Sequence, residues 1–317
     1  MEAAARKRLL WRTPRRFQGT IEMRIAVTGK QGQVVQSLLR RGAETGVEVS
    51  VVGRPEMDLA DPESIAAAFS ALRPDVIVSA AAYTAVDKAE SEAELAFSVN
   101  AAGAGAVAKA AARIGVPVIH ISTDYVFSGD KTSAYSEKDA TAPISVYGRS
   151  KLAGEKAVAA ANPNHVILRT AWVYSPFGAN FLKTMLRLSE TRDHLRVVAD
   201  QTGCPTSALD IADAILAIAT RIVADPAPSL RGIFHLTGSG EASWADFAEE
   251  IFAALLKSGG RSVRIERIPT ADYPTPAKRP ANSRLNGEKL ARTYGIRLPE
   301  WKKSMTVVMQ DLLNKGL

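Results

Sequence analysis

Two short runs hold residue types able to do proton chemistry. Tyr147-Gly148-Arg149-Ser150-Lys151 sets a phenol and an ammonium at i and i+4, one face of a helix. Ser122-Thr123-Asp124-Tyr125 ends a β-branched apolar segment, 118–122. A phenol titrates at about pH 10 in water and an adjacent cation favours its anion, so the pair could give or take a proton near neutrality. A general acid performs that service beside a hydride transfer. Tyr-x-x-x-Lys alone is common on solvated helix faces, and its weight here comes from its company. Thr28-Gly29-Lys30-Gln31-Gly32-Gln33-Val34-Val35 lies between a strand-like and a helix-like segment. Gly29 and Gly32 would let the backbone approach a pyrophosphate whose charge meets a helix N-terminus. Val35 takes the place of a third glycine, so the helix is expected to sit slightly further from the strand.

Such groups work only if a scaffold brings them together. Strands are expected at 24–28, 47–52, 76–79, 118–122 and 166–170, alternating with helices at 33–41, 63–71, 93–114 and 147–160. The strand segments are continuously apolar, as when both faces of a sheet are covered. Strand and helix alternate throughout, which predicts an α/β fold with a doubly wound parallel Rossmann sheet. Ligands of such folds bind at the carboxyl edge of the strands, where all three runs fall. Beyond 172 the rhythm loosens to a helix at 181–189, a strand at 197–198, a helix at 208–222 and a strand at 232–236. The Pro-rich stretch 269–280 cannot form regular helix or sheet. The expected organisation is a dinucleotide-binding domain over 23–172, rejoined by 208–236, and a smaller C-terminal substrate-binding lobe from 173–207 and 237–317.

Composition narrows the classes. The 317 residues carry 40 Lys plus Arg against 33 Asp plus Glu, a net +7 that could suggest nucleic acid. Six basic and two acidic residues fall in the first 22, so the remainder is only +3, and no nucleic-acid partner is expected. With 46% hydrophobic residues and no run of about 18 apolar ones, a soluble, non-membrane, cytoplasmic protein is expected. Residues 1–22 read as a disordered extension ahead of a start at Met23, with a targeting segment or basic docking arm as alternatives. Cys204 is the single cysteine, so no intrachain disulfide forms; it reads as an apolar filler. Four scattered histidines make no zinc pattern.

The second strand ends Val51-Val52-Gly53-Arg54, with arginine where an acid would bind a ribose 2′-hydroxyl. Arginine suits a 2′-phosphate, which favours NADPH while leaving NADH possible. Asp58-Leu59 would lie beside the adenine, or else form a cap region ahead of Pro62. The small residues of Ala80-Ala81-Ala82-Tyr83-Thr84 would let the backbone approach the cofactor ribose and phosphates. Asn100 would be a buried polar support.

With these runs in hand, the sequence resembles the extended short-chain dehydrogenase/reductase family and, within it, the dTDP-4-dehydrorhamnose reductases. The resemblance rests on 27–34, Ala80-Ala81-Ala82-Tyr83-Thr84-Ala85-Val86-Asp87-Lys88-Ala89-Glu90, 122–127, 147–151, Arg169-Thr170-Ala171-Trp172-Val173-Tyr174, 200–206 and 279–285, and extends from 23 to about 313. It implies a catalytic set of Thr123, Tyr147 and Lys151. Tyr147 would protonate the C4 oxygen of dTDP-4-dehydro-6-deoxy-L-mannose, Thr123 would hydrogen-bond that oxygen, and Lys151 would also hold the nicotinamide ribose. The product, dTDP-L-rhamnose, would serve cell-surface polysaccharide. Gly32, Gln33, Val34, Asp58, Leu59, Ala82, Tyr83 and Thr84 match cofactor contacts; Thr123, Asp124 and Trp172 match sugar contacts, Trp172 having plain core as its alternative. Asn180, Arg279 and Arg284 would meet the nucleotide diphosphate, although Arg279 could be a surface loop charge. Some family members dimerise through magnesium held by glutamates. Gln36 and Ser37 offer no carboxylate there, so no Mg2+ ligand set is identified and a monomer or weak homodimer is expected. Two alternatives remain at this level, a sugar-nucleotide epimerase of the same superfamily and a non-catalytic regulatory subunit like the β subunit of methionine adenosyltransferase.

Overall fold

The computed structural model describes residues 16–17, 20–21 and 23–314. Arg16–Phe17 pairs antiparallel with Thr20–Ile21; the rest of the 1–22 segment, expected to be disordered, lies outside the described residues. In chain order, β1 (Arg24–Thr28), α1 (Gln33–Thr45), β2 (Glu48–Val52), α2 (Pro62–Leu72), β3 (Val76–Ser79), α3 (Ala104–Arg113), β4 (Val118–Thr123), α4 (Val146–Ala161) and β5 (His165–Thr170) alternate as expected. Next come α5 (Phe181–Ser189), β6 (His194–Val198), α6 (Ala208–Ala224) and β7 (Gly232–His235). β7 rejoins the sheet, whose order is β7-β5-β4-β3-β1-β2 with every pairing parallel. Strand order reverses between β1 and β3, the point at which folds of this kind bind ligands outside the carboxyl ends of the strands.

Alternation within each strand explains the two covered faces. Val76 and Val78 point with Ile25, Val27 and Leu168 into a core shared with Leu38 of α1 and Ile211, Ile215 and Ile218 of α6. Ile77, Val118 and Ile167 point the other way, onto Ile65 and Phe69 of α2 and Val107 and Ala111 of α3. Asp61 caps α2 by accepting from Glu63 N, and Pro62 fits its first turn. The cap is therefore Asp61 itself, while Asp58 turns the chain just before it, accepting from Ala60 N at 2.9 Å.

The helix expected over 93–114 is broken by a π-helical turn, Ser98–Gly103. By length and composition alone the stretch 93–113 could cross a membrane. Its inner face, however, buries Ala96, Asn100, Ala104, Val107, Ala108 and Ala111 inside the fold. The remaining chain forms a second core around Phe247, Ile251, Trp301, Met305 and Val308. It is built on α5, β6, α7 (Trp244–Lys257), β8 (Arg264–Ile268) and α9 (Trp301–Asn314), with β8 parallel to β6, whereas α8 (Glu288–Tyr294) lays Leu290 and Tyr294 on the sheet core. A capping box of Ser243 and Asp246 starts α7.

Candidate active site

The turn from β1 to α1 is shaped for a pyrophosphate. Gly29 has φ +93°, and a Cβ there would stand 3.4 Å from the Ala81 Cβ. The Gly32 N-cap of α1 has no side-chain cap, and the first turn carries no acid, so its N–H groups remain directed at whatever anion approaches. Ala80 N and Ala81 N donate to Thr28 Oγ1 at 3.0 and 2.9 Å, stitching the 80–84 wall to the glycine turn. These residues fit a dinucleotide. Val35 is buried in the sheet core, and α1 also packs tightly on β2 at Gly42, where a Cβ would come within 2.5 Å of Val49 Cγ2.

Arg54 stands at the mouth of this turn with its side chain 71% exposed and its Nε 2.9 Å from Asp58 Oδ2. Lys30 pairs with Glu56 alongside. The backbone N–H of Ala60, with Arg54 beside it, holds the Asp58 carboxyl below its usual range. Leu59 packs onto the core near Gly103.

The proton-transfer groups meet where β4 ends and α4 begins. Ser145 caps α4 by accepting from Gly148 N at 3.1 Å. Gly148 lets the first turn press onto the 123–126 loop, since a Cβ there would sit 2.2 Å from Tyr125 O. Lys151, one turn on, is 3% exposed and donates to Ile121 O at 2.7 Å. Burial lowers its ammonium to about 8, against the pull of the Glu155 carboxylate. Burial pushes the Tyr147 phenol up to about 12; the Thr123 hydroxyl pulls it back and the Asp124 charge adds to the rise. The sequence suggested a phenol lowered by its lysine neighbour. Here desolvation dominates, and the phenol is held protonated, as a general acid must be before it reacts. The Tyr125 ring stands edge-on to Tyr147 with centroids 5.5 Å apart.

Asp124 is 2% exposed and accepts from Thr123 Oγ1 at 2.8 Å, while its Oδ2 has no close hydrogen-bond partner among the described residues. Burial raises this carboxyl to about 6, with the Thr123 and Ser283 hydroxyls opposing. Asn100, inside the π-turn, is the expected support. Its Oδ1 accepts from Tyr83 N at 2.8 Å, and its Nδ2 donates to Tyr83 O and to Ser150 Oγ. It thereby joins the 80–84 wall to the catalytic helix. Tyr83 also donates its hydroxyl to Glu92 Oε2, which raises the phenol to about 12.

A buried triad lies under the site, and its joining was not legible in the sequence. Arg169 makes two bonds to Glu155, at 2.8 and 2.7 Å, and Ser122 Oγ donates to Glu155 Oε1 at 2.6 Å. The three residues lie far apart in the chain, and only the β4–α4–β5 packing joins them.

On the substrate side, Trp172 has φ +47° and stacks on Trp244 at 3.5 Å between centroids, its Nε1 donating to Ser283 Oγ. A left-handed backbone at a tryptophan is strained, and such strain gathers at binding sites. Gly203 makes room for it, because a Cβ there would lie 2.4 Å from the indole. A cavity of about 760 Å³ opens beside this pair, lined by Tyr125, Phe181, Trp244, Arg192, Arg196 and Arg279 among others. Arg192 and Arg196 went unnoticed in the sequence, where they lie outside any recognisable motif.

Of the expected diphosphate contacts, Asn180 and Arg284 do not line this cavity. Asn180 caps α5, accepting from Lys183 N, and its Nδ2 donates to Gln33 Oε1, Ser175 O and Phe177 O. Arg284 is committed to Asn282 Oδ1, Glu241 and Thr132 O. Both side chains have their hydrogen-bonding capacity drawn into holding loops. Cys204 is buried, and that burial pushes its thiol up, which disfavours the reactive thiolate. Among the described residues, no group of three or more His, Cys, Asp or Glu side chains is arranged to hold a metal ion.

Comparison with known proteins bears on this geometry. The RmlD substrate binding domain family matches residues 23–314. A dTDP-4-dehydrorhamnose reductase of Sinorhizobium fredii is 58% identical over 93% of this chain and 99% of its own. One from Escherichia coli K12 is 44% identical over 92% and 98%. Among solved structures, a dTDP-4-dehydrorhamnose reductase from Bacillus anthracis in complex with NADP has a TM-score of 0.85 at 33% identity, covering 92% of this chain and 99% of that one. A UDP-glucose 4-epimerase from Thermus thermophilus, with TM-score 0.73 at 20% identity, shares the fold. The glycine turn and the Tyr147–Lys151 helix thus meet at one sheet edge in a chain matched along nearly its whole described length, and the chain belongs to the dTDP-4-dehydrorhamnose reductase family.

Proposed function

We propose that the protein reduces the C4 keto group of dTDP-4-dehydro-6-deoxy-L-mannose to give dTDP-L-rhamnose, with NADPH as reductant. Bound NADPH supplies the hydride to C4. Tyr147, protonated at neutral pH, donates its proton to the C4 oxygen as the charge develops, and Thr123 hydrogen-bonds the same oxygen. Lys151, whose ammonium titrates at about 8, holds the nicotinamide ribose and offsets the charge left on Tyr147. Residues 23–172 and 208–236 bind the cofactor, and 173–207 with 237–317 bind the sugar nucleotide, Trp172 and Asp124 facing the sugar. Arg279, with Arg192, faces the diphosphate, since a guanidinium matches phosphate oxygens in bidentate fashion, while Arg196 beside them pairs with Glu266 and Asp272. Arg54 reads the 2′-phosphate. The protein acts in the cytoplasm as a monomer or weak homodimer.

One observation carries the reading. The acid group lies between a turn fitted to a pyrophosphate and a cavity with three arginines, joined through the Tyr125–Tyr147 contact. The test is NADPH oxidation, followed by absorbance, with the dTDP-4-keto sugar as substrate. Tyr147→Phe should lower kcat by ~10²–10⁴ and leave NADP+ affinity near that of the unmodified protein. Equal rates would refute the mechanism.

A further inference from the structure

We propose that Asp87 is a positioning residue for the sugar nucleotide, holding Arg279 aimed into the substrate cavity and tying it to the wall of the cofactor site. The proposal rests on the reading of Arg279 as a diphosphate contact. Asp87 lies on the short helix Val86–Ala89. Its Oδ2 accepts from Arg279 Nη2 at 2.8 Å, and its Oδ1 accepts from Ala277 N at 3.2 Å. Both carboxylate oxygens therefore grip one strap, the Pro-rich stretch 269–280. This strap has no regular structure around Arg279 to hold it. No other hydrogen bond of the Arg279 guanidinium is found among the described residues, so its remaining N–H groups are available to phosphate oxygens.

The pair is not built for stability. The Asp87 and Arg279 side chains are 40% and 24% exposed, and exposed ion pairs contribute little to folding. What the pair does is geometric. An arginine on an irregular strap would otherwise lose its rotamer freedom when the ligand binds, and fixing it beforehand reduces that loss. The anchor is also tied to the reaction centre. Three residues upstream, Thr84 ends the wall expected to face the cofactor. Three residues downstream, Glu90 Oε1 accepts from Val146 N at 2.8 Å, immediately before Tyr147. The run 80–90 thus binds the glycine turn through Thr28, the strap through Asp87 and the catalytic helix through Glu90.

The experiment compares Asp87→Asn and Asp87→Ala with Arg279→Ala, the double variant Asp87→Ala/Arg279→Ala, and Lys88→Ala. The Lys88 side chain is 72% exposed and pairs with Glu92 one turn along, so this variant serves as the control. Steady-state kinetics gives KM and kcat, calorimetry gives the affinity for dTDP, and fluorescence gives that for NADP+. Asp87→Ala should raise KM and the dTDP Kd about three- to tenfold, with kcat falling less than twofold and the NADP+ Kd unmoved. Asp87→Asn keeps an acceptor for Ala277 N and loses the ionic partner of Arg279, so its dTDP Kd should rise by less. The double variant should bind dTDP no worse than Arg279→Ala. A parallel fall of Tm, kcat and NADP+ affinity in Asp87→Asn, or additive losses in the double variant, would overturn the proposal. So would an Arg279→Ala variant with unchanged dTDP affinity. Failure of the unmodified protein to oxidise NADPH would instead refute the reductase reading, and dTDP binding would still decide on Asp87.

Discussion

Asp124→Asn should stabilise the protein while weakening its hold on the sugar. Burial raises the Asp124 carboxyl from 3.8 to about 6, about two units, or ~3 kcal/mol at ~1.4 kcal/mol per unit. Because the folded pKa lies above the unfolded one, the folded state binds the extra proton. The stability this brings is complete below about pH 4 and is lost as pH rises through about 6. At pH 7.5 the native protein therefore carries a buried charge that the amide does not. The amide gives up the bonds that the Thr123 and Ser283 hydroxyls make to the carboxylate, which costs ~1 kcal/mol. The net gain at pH 7.5 is ~2 kcal/mol, about 4 °C in Tm for a chain of this size, and it should shrink and reverse in sign towards pH 4. Thermal melts of both proteins from pH 4 to 8 measure it. A Tm difference independent of pH, or a variant less stable at pH 7.5, would refute the account of Asp124 as a carboxylate buried at a cost in stability. Kinetics on the same variant should show a raised KM for the sugar nucleotide.

Gly154→Ala would place a Cβ 2.0 Å from Asn100 O, a backbone atom that cannot turn aside. The variant should lose roughly 1–3 kcal/mol in denaturant unfolding. Its kcat should fall as well, because α4 carries Tyr147 and Lys151. Arg54→Ala should raise the Kd for NADP+ about tenfold or more and leave that for NAD+ unchanged, read by fluorescence titration. An equal loss for both cofactors would mean that Arg54 does not read the 2′-phosphate.

Much of the frame was readable along the chain. The five expected strands and the return near 232–236 depend on short-range patterns, apolar runs bounded by glycine and proline, that hold wherever a parallel sheet is buried on both faces. The glycine turn was readable for the same reason, since a backbone at φ +93° needs glycine whatever surrounds it. The second lobe was less legible. α7 and α9 bury one face each against residues distant in sequence, and β8 pairs with the distant β6, so their partners lie outside any window. Asn180 and Arg284 show the limit of residue type. Both are chemically suited to phosphate, yet the folded chain supplies each with nearer partners.

By itself the sequence determined which groups are available: a phenol four residues before an ammonium, glycines at a strand end, and an arginine after β2. Tertiary structure decided their state. Solvent exclusion around α4 sets Tyr147 at about 12 and Lys151 at about 8, and neither follows from spacing alone. The pairing of Asp87 with Arg279 and the bridging of Glu155 to Arg169 and Ser122 likewise exist only after strands and helices have packed. Propensity and backbone geometry act over a few residues, whereas desolvation and charge pairing depend on every atom within several ångströms, wherever in the chain it began.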